Sequence, residues 1–324
     1  LNGRYKAAMV PRMAEIENFH EPCLGLLQAL DALGYGFVTV TPETHKRVLA
    51  RPEMARARDL RGVFGWSLRF DEALLPPELF ALLREGKLIA PCGDGWKSKV
   101  RASTIAGRLF LHSAFPTVAD DSVFLGPDTM RFADFLRAEL AGAGPVRRLV
   151  DIGAGAGVGG IVAAGHLPGA AIELVDLNEK ALGFARVNAA HAGVPAAAYV
   201  SDGVGAVPAG FDLAIANPPF IVDEDGPAYR AGGGSRGAGL SLAWALGAAA
   251  KLARGGRVLL YTGSAIVAGR DGLREALEAG LPPLGCSLSY REIDPDIFGE
   301  ELERPAYREV ERIAAVGAGI VKGA

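Results

Sequence analysis

Val146-Arg-Arg-Leu-Val-Asp-Ile-Gly-Ala-Gly-Ala-Gly-Val-Gly-Gly160 is the stretch whose reading decides the fold. Its apolar run from Leu149 to Ile152 reads as a buried parallel strand. Glycines follow at 153, 155, 157, 159 and 160, and then the helical run 161–164. A strand, a glycine turn and a helix in this order form a nucleotide-cofactor turn. Glycine is needed there because a ligand must come close to the backbone and some positions need positive φ. Gly155-x-Gly157-x-x-Gly160 also fits the dinucleotide fingerprint, with Asp176 about 20 residues further on, so the spacing alone leaves a nicotinamide cofactor open.

Working outward, strands and helices alternate. Strand 146–152 leads to helix 158–166, strand 171–176 to helix 179–193, and strand 197–201 ends at Asp202. Strand 211–216 ends at Asn217, and helix 240–252 precedes strand 256–263. Such a series predicts a Rossmann-like, doubly wound α/β sheet, with ligands at the carboxyl ends of its strands. Residues 285–294 and 310–322 are expected to close it as an antiparallel hairpin.

Two features select among nucleotides. Asp151 precedes the first glycine, giving Asp-x-Gly-x-Gly-x-Gly, and Asn217-Pro218-Pro219-Phe220 follows directly on an apolar strand. With these residues the sequence resembles the class I S-adenosylmethionine (SAM) methyltransferases. More narrowly it resembles the branch with an Asn-Pro-Pro-Phe/Tyr motif, whose members methylate planar nitrogens. That branch holds HemK-like release-factor glutamine methyltransferases and several adenine and guanine methyltransferases of DNA and RNA. The resemblance covers residues 121–324 and implies a seven-stranded sheet with an antiparallel last strand. Val123-Phe124-Leu125-Gly126-Pro127-Asp128-Thr129 is similar to the segment that precedes the catalytic domain of HemK-like enzymes, with Gly126 in place of an arginine. The resemblance implies that Phe124 and Asp128 lie near cofactor or substrate. Asp128 is equally a candidate N-cap for a helix 131–140.

Each candidate residue has a chemical reason. The turn with Gly153, Gly155 and Gly157 gives room and backbone N–H groups to the amino-acid tail and ribose of SAM. Asp151 offers negative charge to the ammonium of that tail, or orients the turn. Asp176 can accept both ribose hydroxyl protons. Asp202, beside Gly203, can accept from the adenine amino group, as in similar methyltransferases, and Leu177 can cover an adenine face. An amide or aromatic amine nitrogen is a poor nucleophile because its lone pair is delocalised. The Asn217 side-chain oxygen and the Pro218 carbonyl can accept its two protons and aim the lone pair at the methyl group. Pro219 stiffens the loop, and Phe220 offers a face for a planar group. Proton loss can follow transfer, so no dedicated base is named. The link 221–240 is glycine-rich and reads as a lid, with Tyr229, Arg230 and Arg236 as candidate substrate contacts.

The remaining observations set bounds. The chain has 324 residues, half of them hydrophobic, enough for one large or two modest domains. The division expected is a recognition domain over 1–120 and a methyltransferase domain over 121–324. The first 120 residues carry a formal surplus of three positive charges and the remainder six negative ones. Cys23, Cys92 and Cys286 show no metal-ligand spacing, so no metal is expected and the thiols read as reduced. No long apolar run or signal peptide is seen, which gives a cytoplasmic expectation with no membrane contact. The front half reads as a helix over 14–34 broken at Pro22, a polar helix over 43–60, a helix opened by Pro76-Pro77, and strands across 87–111. Helices followed by a hairpin suggest a winged-helix-like recognition domain, and Trp96 to Arg101 is its basic, aromatic stretch. His112 is read as structural.

The reading is a SAM-dependent N-methyltransferase of a planar amide or amine nitrogen. The favoured substrate is a protein glutamine side chain, because the catalytic half is acidic and the Pro-Asp-Thr segment is HemK-like. An RNA or DNA base amine, or a small amine-bearing metabolite, is the alternative; Phe220 stands where the branch's glutamine enzymes have tyrosine. No His or Tyr/Lys pair offers the proton donor that hydride chemistry with a nicotinamide would need.

Overall fold

The computed structural model describes residues 13–222 and 236–323, with side chains described from residue 19. The sheet that carries the site is built around β5 (Arg148–Ile152). Parallel to β5 run β6 (Ala171–Asp176) and β7 (Ala196–Val200) on one side, and β8 (Phe211–Ala216) and β9 (Leu252–Val267) on the other. The antiparallel strands β11 (Cys286–Asp294) and β12 (Arg312–Lys322) complete the order β11-β12-β9-β8-β5-β6-β7, and the short β10 (Arg270–Asp271) folds back onto β9. Leu149, Val150 and Ile152 are fully buried, as expected of a parallel strand covered on both faces.

The covering helices are α5 (Pro127–Leu140), α6 (Val158–Ala164), α7 (Glu179–His191), α8 (Gly239–Lys251) and α9 (Gly272–Gly280). Chain order reverses at β5, where the neighbours on the two sides are β6 and β8. That is the switch point at which such sheets open a crevice.

The front part contains α1 (Met13–Ala32), α2 (Pro42–Leu49), α3 (Leu60–Phe64) and α4 (Pro77–Glu85). Two antiparallel hairpins follow, β1 (Ile89–Cys92) with β2 (Gly95–Ser98) and β3 (Val100–Ile105) with β4 (Arg108–Ser113). Three expectations change here. Pro22 does not break α1, because Cys23, Leu26, Leu27 and Leu30 are fully buried and their packing outweighs the lost backbone bond. Gly86 makes room for Pro22: a Cβ there would come within 2.3 Å of the proline ring. The helix expected over 43–60 is instead α2, a 3-10 turn at Pro52–Met54, and α3, whose first turn is capped by Asp59 accepting from the Gly62 N–H at 2.7 Å.

The third change concerns the basic stretch. Helices do lead into a hairpin, but the second hairpin is buried rather than held out as a wing. Arg101 is 1% exposed, with its guanidinium over the Phe37 ring and donating to the Thr39 hydroxyl at 3.3 Å. Burial depresses its pKa to about 10. Trp96 packs edge-on against Phe80. The stretch therefore presents lysines, not a continuous basic and aromatic face. His112 is buried, with its Nε2 2.7 Å from the Ser103 hydroxyl, in line with a structural part.

The front part and the sheet share one apolar core, in which Leu27, Leu30 and Leu111 meet Phe184 and Val187 of α7. Asn188 fastens the seam. Its carboxamide accepts from the Leu111 N–H at 2.8 Å and donates to the Leu111 carbonyl at 3.0 Å, pairing with β4 as a neighbouring strand would. The same side-chain nitrogen donates to the Ala156 carbonyl, inside the glycine turn, at 2.9 Å. Asn188→Ala strands these three buried backbone groups. It is expected to cost about 2–4 kcal/mol, read as a lower urea midpoint at unchanged slope.

Candidate active site

A cavity of about 350 Å³ opens at the carboxyl ends of β5, β6, β7 and β8. It has room for a nucleoside-sized ligand. Gly153, Gly155 and Gly157 follow β5 with φ of 68°, 54° and 82°, values that a Cβ would strain. Gly153 also has no room for a Cβ, which would lie 2.4 Å from the Trp244 ring.

Two carboxylates hold this turn from adjacent strands. Asp151, at 2% exposure, accepts from the Gly160 N–H at 2.7 Å at the start of α6. Asp176 accepts from Gly155 N–H with one oxygen and from Asn178 N–H with the other, both at 2.8 Å. Burial pushes the Asp151 carboxyl up to about 7, opposed by the Gly160 bond and raised further by the charge of Asp176. Asp176 is raised too, again by burial. Asp202 is exposed at the rim, Gly203 beside it has φ 52°, and Leu177 is a half-buried lining residue.

Asn217-Pro218-Pro219-Phe220 lines the far side of the same cavity. Among the described residues no group hydrogen-bonds the Asn217 carboxamide, so its oxygen and nitrogen are available to a ligand. Phe220 differs from expectation. It is only 8% exposed, packed over Gly263, where a Cβ would come within 2.4 Å of the ring, and edge-on to Phe298 at 5.6 Å. Its ring is held by the protein rather than offered as an open face.

Phe124 and Asp128 both reach the cavity. Asp128 is not the helix cap. The helix α5 starts at Pro127, Gly126 holds the cap position, and the Thr129 hydroxyl accepts from the Gly126 N–H at 3.4 Å. The Asp128 carboxylate instead accepts from the Tyr261 hydroxyl at 2.9 Å and from Arg131 at 3.3 Å, and burial raises its pKa. Gly126 stands where a side chain would meet the Phe124 ring at 2.5 Å, which accounts for glycine at that position.

Tyr229 and Arg230 lie outside the described residues, as does most of the link read as a lid. Arg236 is not brought to the cavity: its guanidinium pairs with Glu309 at 2.5 Å. Among the described residues no group of three or more His, Cys, Asp or Glu is placed to hold a metal, and no helix is long and apolar enough to cross a membrane.

The sequence reading missed Trp244. Its indole spans the cavity wall from Gly153 to Gly203, where a Cβ would lie 3.0 Å from the indole nitrogen. A tryptophan on the apolar helix after the Asn-Pro-Pro-Phe strand was the available signal. Lys46 and Glu43 of α2, and Glu300 and Glu301 beyond β11, also reach the cavity, so both ends of the chain contribute to its mouth.

Strand order, the doubly anchored glycine turn and an asparagine at the end of β8 with no partner among the described residues together define a class I SAM-dependent methyltransferase. Comparison with known proteins agrees. The methyltransferase small domain family model matches residues 128–230. Release factor glutamine methyltransferase of Cereibacter sphaeroides is 31% identical over 266 residues, 76% of this chain and 88% of that protein. Ribosomal RNA small subunit methyltransferase C of Hahella chejuensis is 45% identical over 74 residues, 23% of this chain but only 22% of that protein. Among solved structures, the T. thermophilus 16S rRNA N2 G1207 methyltransferase in complex with AdoMet and guanosine aligns with 79% of this chain and 64% of that one, at 16% identity and a TM-score of 0.45. That score is too low to bear on the site. The chain belongs to the class I SAM-dependent methyltransferases, in the HemK-like branch that carries the methyltransferase small domain. The cofactor is SAM.

The cavity suits that cofactor, since a sulfonium and an ammonium complement Asp151 and Asp176. Because the Asp151 pKa is raised on folding, its contribution to stability is full below the unfolded carboxyl value near 4 and is lost as pH rises through about 7. The ligand-free protein should therefore lose unfolding free energy between about pH 4 and 7 relative to Asp151→Asn, measured by chemical denaturation at each pH.

Proposed function

We propose that this chain transfers the methyl group of SAM to the side-chain amide nitrogen of a protein glutamine, and that it works in the cytoplasm. Residues 1–120 serve recognition in this reading and 121–324 catalysis. The observation that carries it is the match to a release factor glutamine methyltransferase, which runs through both parts and over 88% of that protein. The described residues of the cavity mouth support it: Glu43 and Glu300 stand there with Lys46 as the single basic lining side chain, a poor surface for a phosphate backbone.

In this mechanism SAM supplies an electrophilic methyl group on a sulfonium. Asp176 accepts from the ribose hydroxyls while still holding the Gly155 and Asn178 amides. Asp151 sets negative charge beside the amino-acid tail, and Asp202 accepts from the adenine amino group. The Asn217 oxygen and the Pro218 carbonyl accept the two protons of the acceptor –NH₂, which fixes the nitrogen in line with the breaking C–S bond. When bound, SAM would give up its methyl group as the nitrogen lone pair makes the C–N bond, the C–S electron pair staying with the leaving thioether. The nitrogen then loses one proton to water. Fixed acceptors act here by orientation and by complementing the positive charge that grows on nitrogen.

A base amine of RNA is the second reading, favoured by the 45% identity to an rRNA methyltransferase over 74 residues. Labelled SAM added to a cell extract, then separated into protein, nucleic-acid and small-molecule fractions, distinguishes the substrates. Label recovered as N-methylglutamine is the expected result, and label in RNA would replace the glutamine reading. Asn217→Ala is expected to bind SAM normally and to lose at least about 100-fold in transfer rate; transfer at the parent rate would remove Asn217 from catalysis. Asp176→Ala should instead weaken SAM binding, and calorimetric titration checks it.

A further inference from the structure

The acceptor side of the cavity is walled by the connection between β11 and β12. This segment is fastened at several points. The Ile297 N–H donates to the Ile313 carbonyl at 2.8 Å, and the buried Tyr307 hydroxyl accepts from the Val222 N–H, just beyond the Asn-Pro-Pro-Phe turn, at 2.8 Å. Between these points Phe298 sits in the left-handed region, with φ 55° and ψ 41°. A bulky residue there is strained, because its Cβ crowds the following carbonyl. Gly299 follows at once and would adopt that conformation freely, so the strain does not arise from want of a glycine nearby.

The strained position points the Phe298 ring into the cavity, edge-on to Phe220. The two rings differ in what they offer. Phe220 is sealed between Gly263 and its neighbour, whereas Phe298 remains half-exposed on the cavity side. Strain held at a site by surrounding contacts points to a function for the strained residue.

We propose that Phe298 is the aromatic against which the planar acceptor group lies, and that it sets the width of the acceptor slot, with Phe220 as its backing. The proposal rests on the methyltransferase reading and concerns the acceptor, not the cofactor. A planar amide or ring laid on a fixed phenyl face presents its in-plane N–H bonds to Asn217 and Pro218.

The test compares the parent with Phe298→Gly and Phe298→Tyr, using unmodified bacterial release factor and labelled SAM. Glycine relieves the backbone while removing the ring, so the thermal midpoint should stay within a few degrees. The acceptor KM should rise by about tenfold, far more than kcat falls, while the affinity for S-adenosylhomocysteine stays unchanged. Tyrosine should restore the parent KM. An unchanged acceptor KM in Phe298→Gly would overturn the proposal, as would a matching loss of S-adenosylhomocysteine affinity. Should the parent leave release factor unmethylated, the glutamine reading falls. Phe298 is then judged by saturation-transfer NMR with N-acetylglutamine methylamide and with guanosine, each with S-adenosylhomocysteine present. A signal in the parent that Phe298→Gly abolishes supports the stacking role. Equal signals in both proteins, or none in the parent, overturn it.

Discussion

Two carboxylates on neighbouring strands, Asp151 and Asp176, hold one glycine turn by its backbone amides, and the geometry of the site follows from them. Each carboxylate is costly where it lies. Burial favours their neutral forms, and the charge of Asp176 makes ionising Asp151 harder still. Backbone N–H groups offset part of that cost, and a bound cation offsets more. The arrangement thus stores an electrostatic demand that a bound cation would meet, and it ties the shape of the turn to a preference for positive charge.

Parallel topology turns this local fact into an active site. Asp151, Asp176, Asp202 and Asn217 are spread over 67 residues of chain, yet each lies at the carboxyl end of a strand, and the order β7-β6-β5-β8 sets those ends side by side. That is why the convergence of these four strand ends on one cavity was legible in the sequence. Once the apolar runs are read as parallel strands, right-handed crossovers leave little choice about where their ends go. Glycines 153, 155 and 157 were legible for a related reason, because backbone of that handedness admits few other residues.

What stayed hidden depends on approach between distant segments. Trp244 carries no motif, and its place is known only when Gly153 and Gly203 are seen to leave space for it. Phe220 looked like an open face because its neighbours in sequence do not reveal what covers it; the contact comes from Gly263, and its companion ring from the β11–β12 connection. Arg101 read as a surface charge because alternation along a hairpin does not reveal that both faces are covered. Pro22 and Asn188 teach the same point from opposite sides: packing overrides a local helix signal, and a side chain can take the place of a whole neighbouring strand.

The seam between α7 and β4 has a consequence for modularity. A protein whose recognition and catalytic parts are joined by a flexible linker can exchange one while keeping the other. Here Phe184, Val187 and Asn188 belong to the catalytic half by sequence, yet they are sealed by residues of the front half. A fragment cut at residue 121 would carry an unsealed apolar helix face, with the Asn188 carboxamide deprived of the Leu111 backbone it pairs with. A new recognition domain could be grafted only with a copy of the β4 edge that Asn188 reads. Diversification of such a protein is therefore expected at the rim of the cavity, in α2 and in the β11–β12 connection, where residues can change without disturbing that shared core.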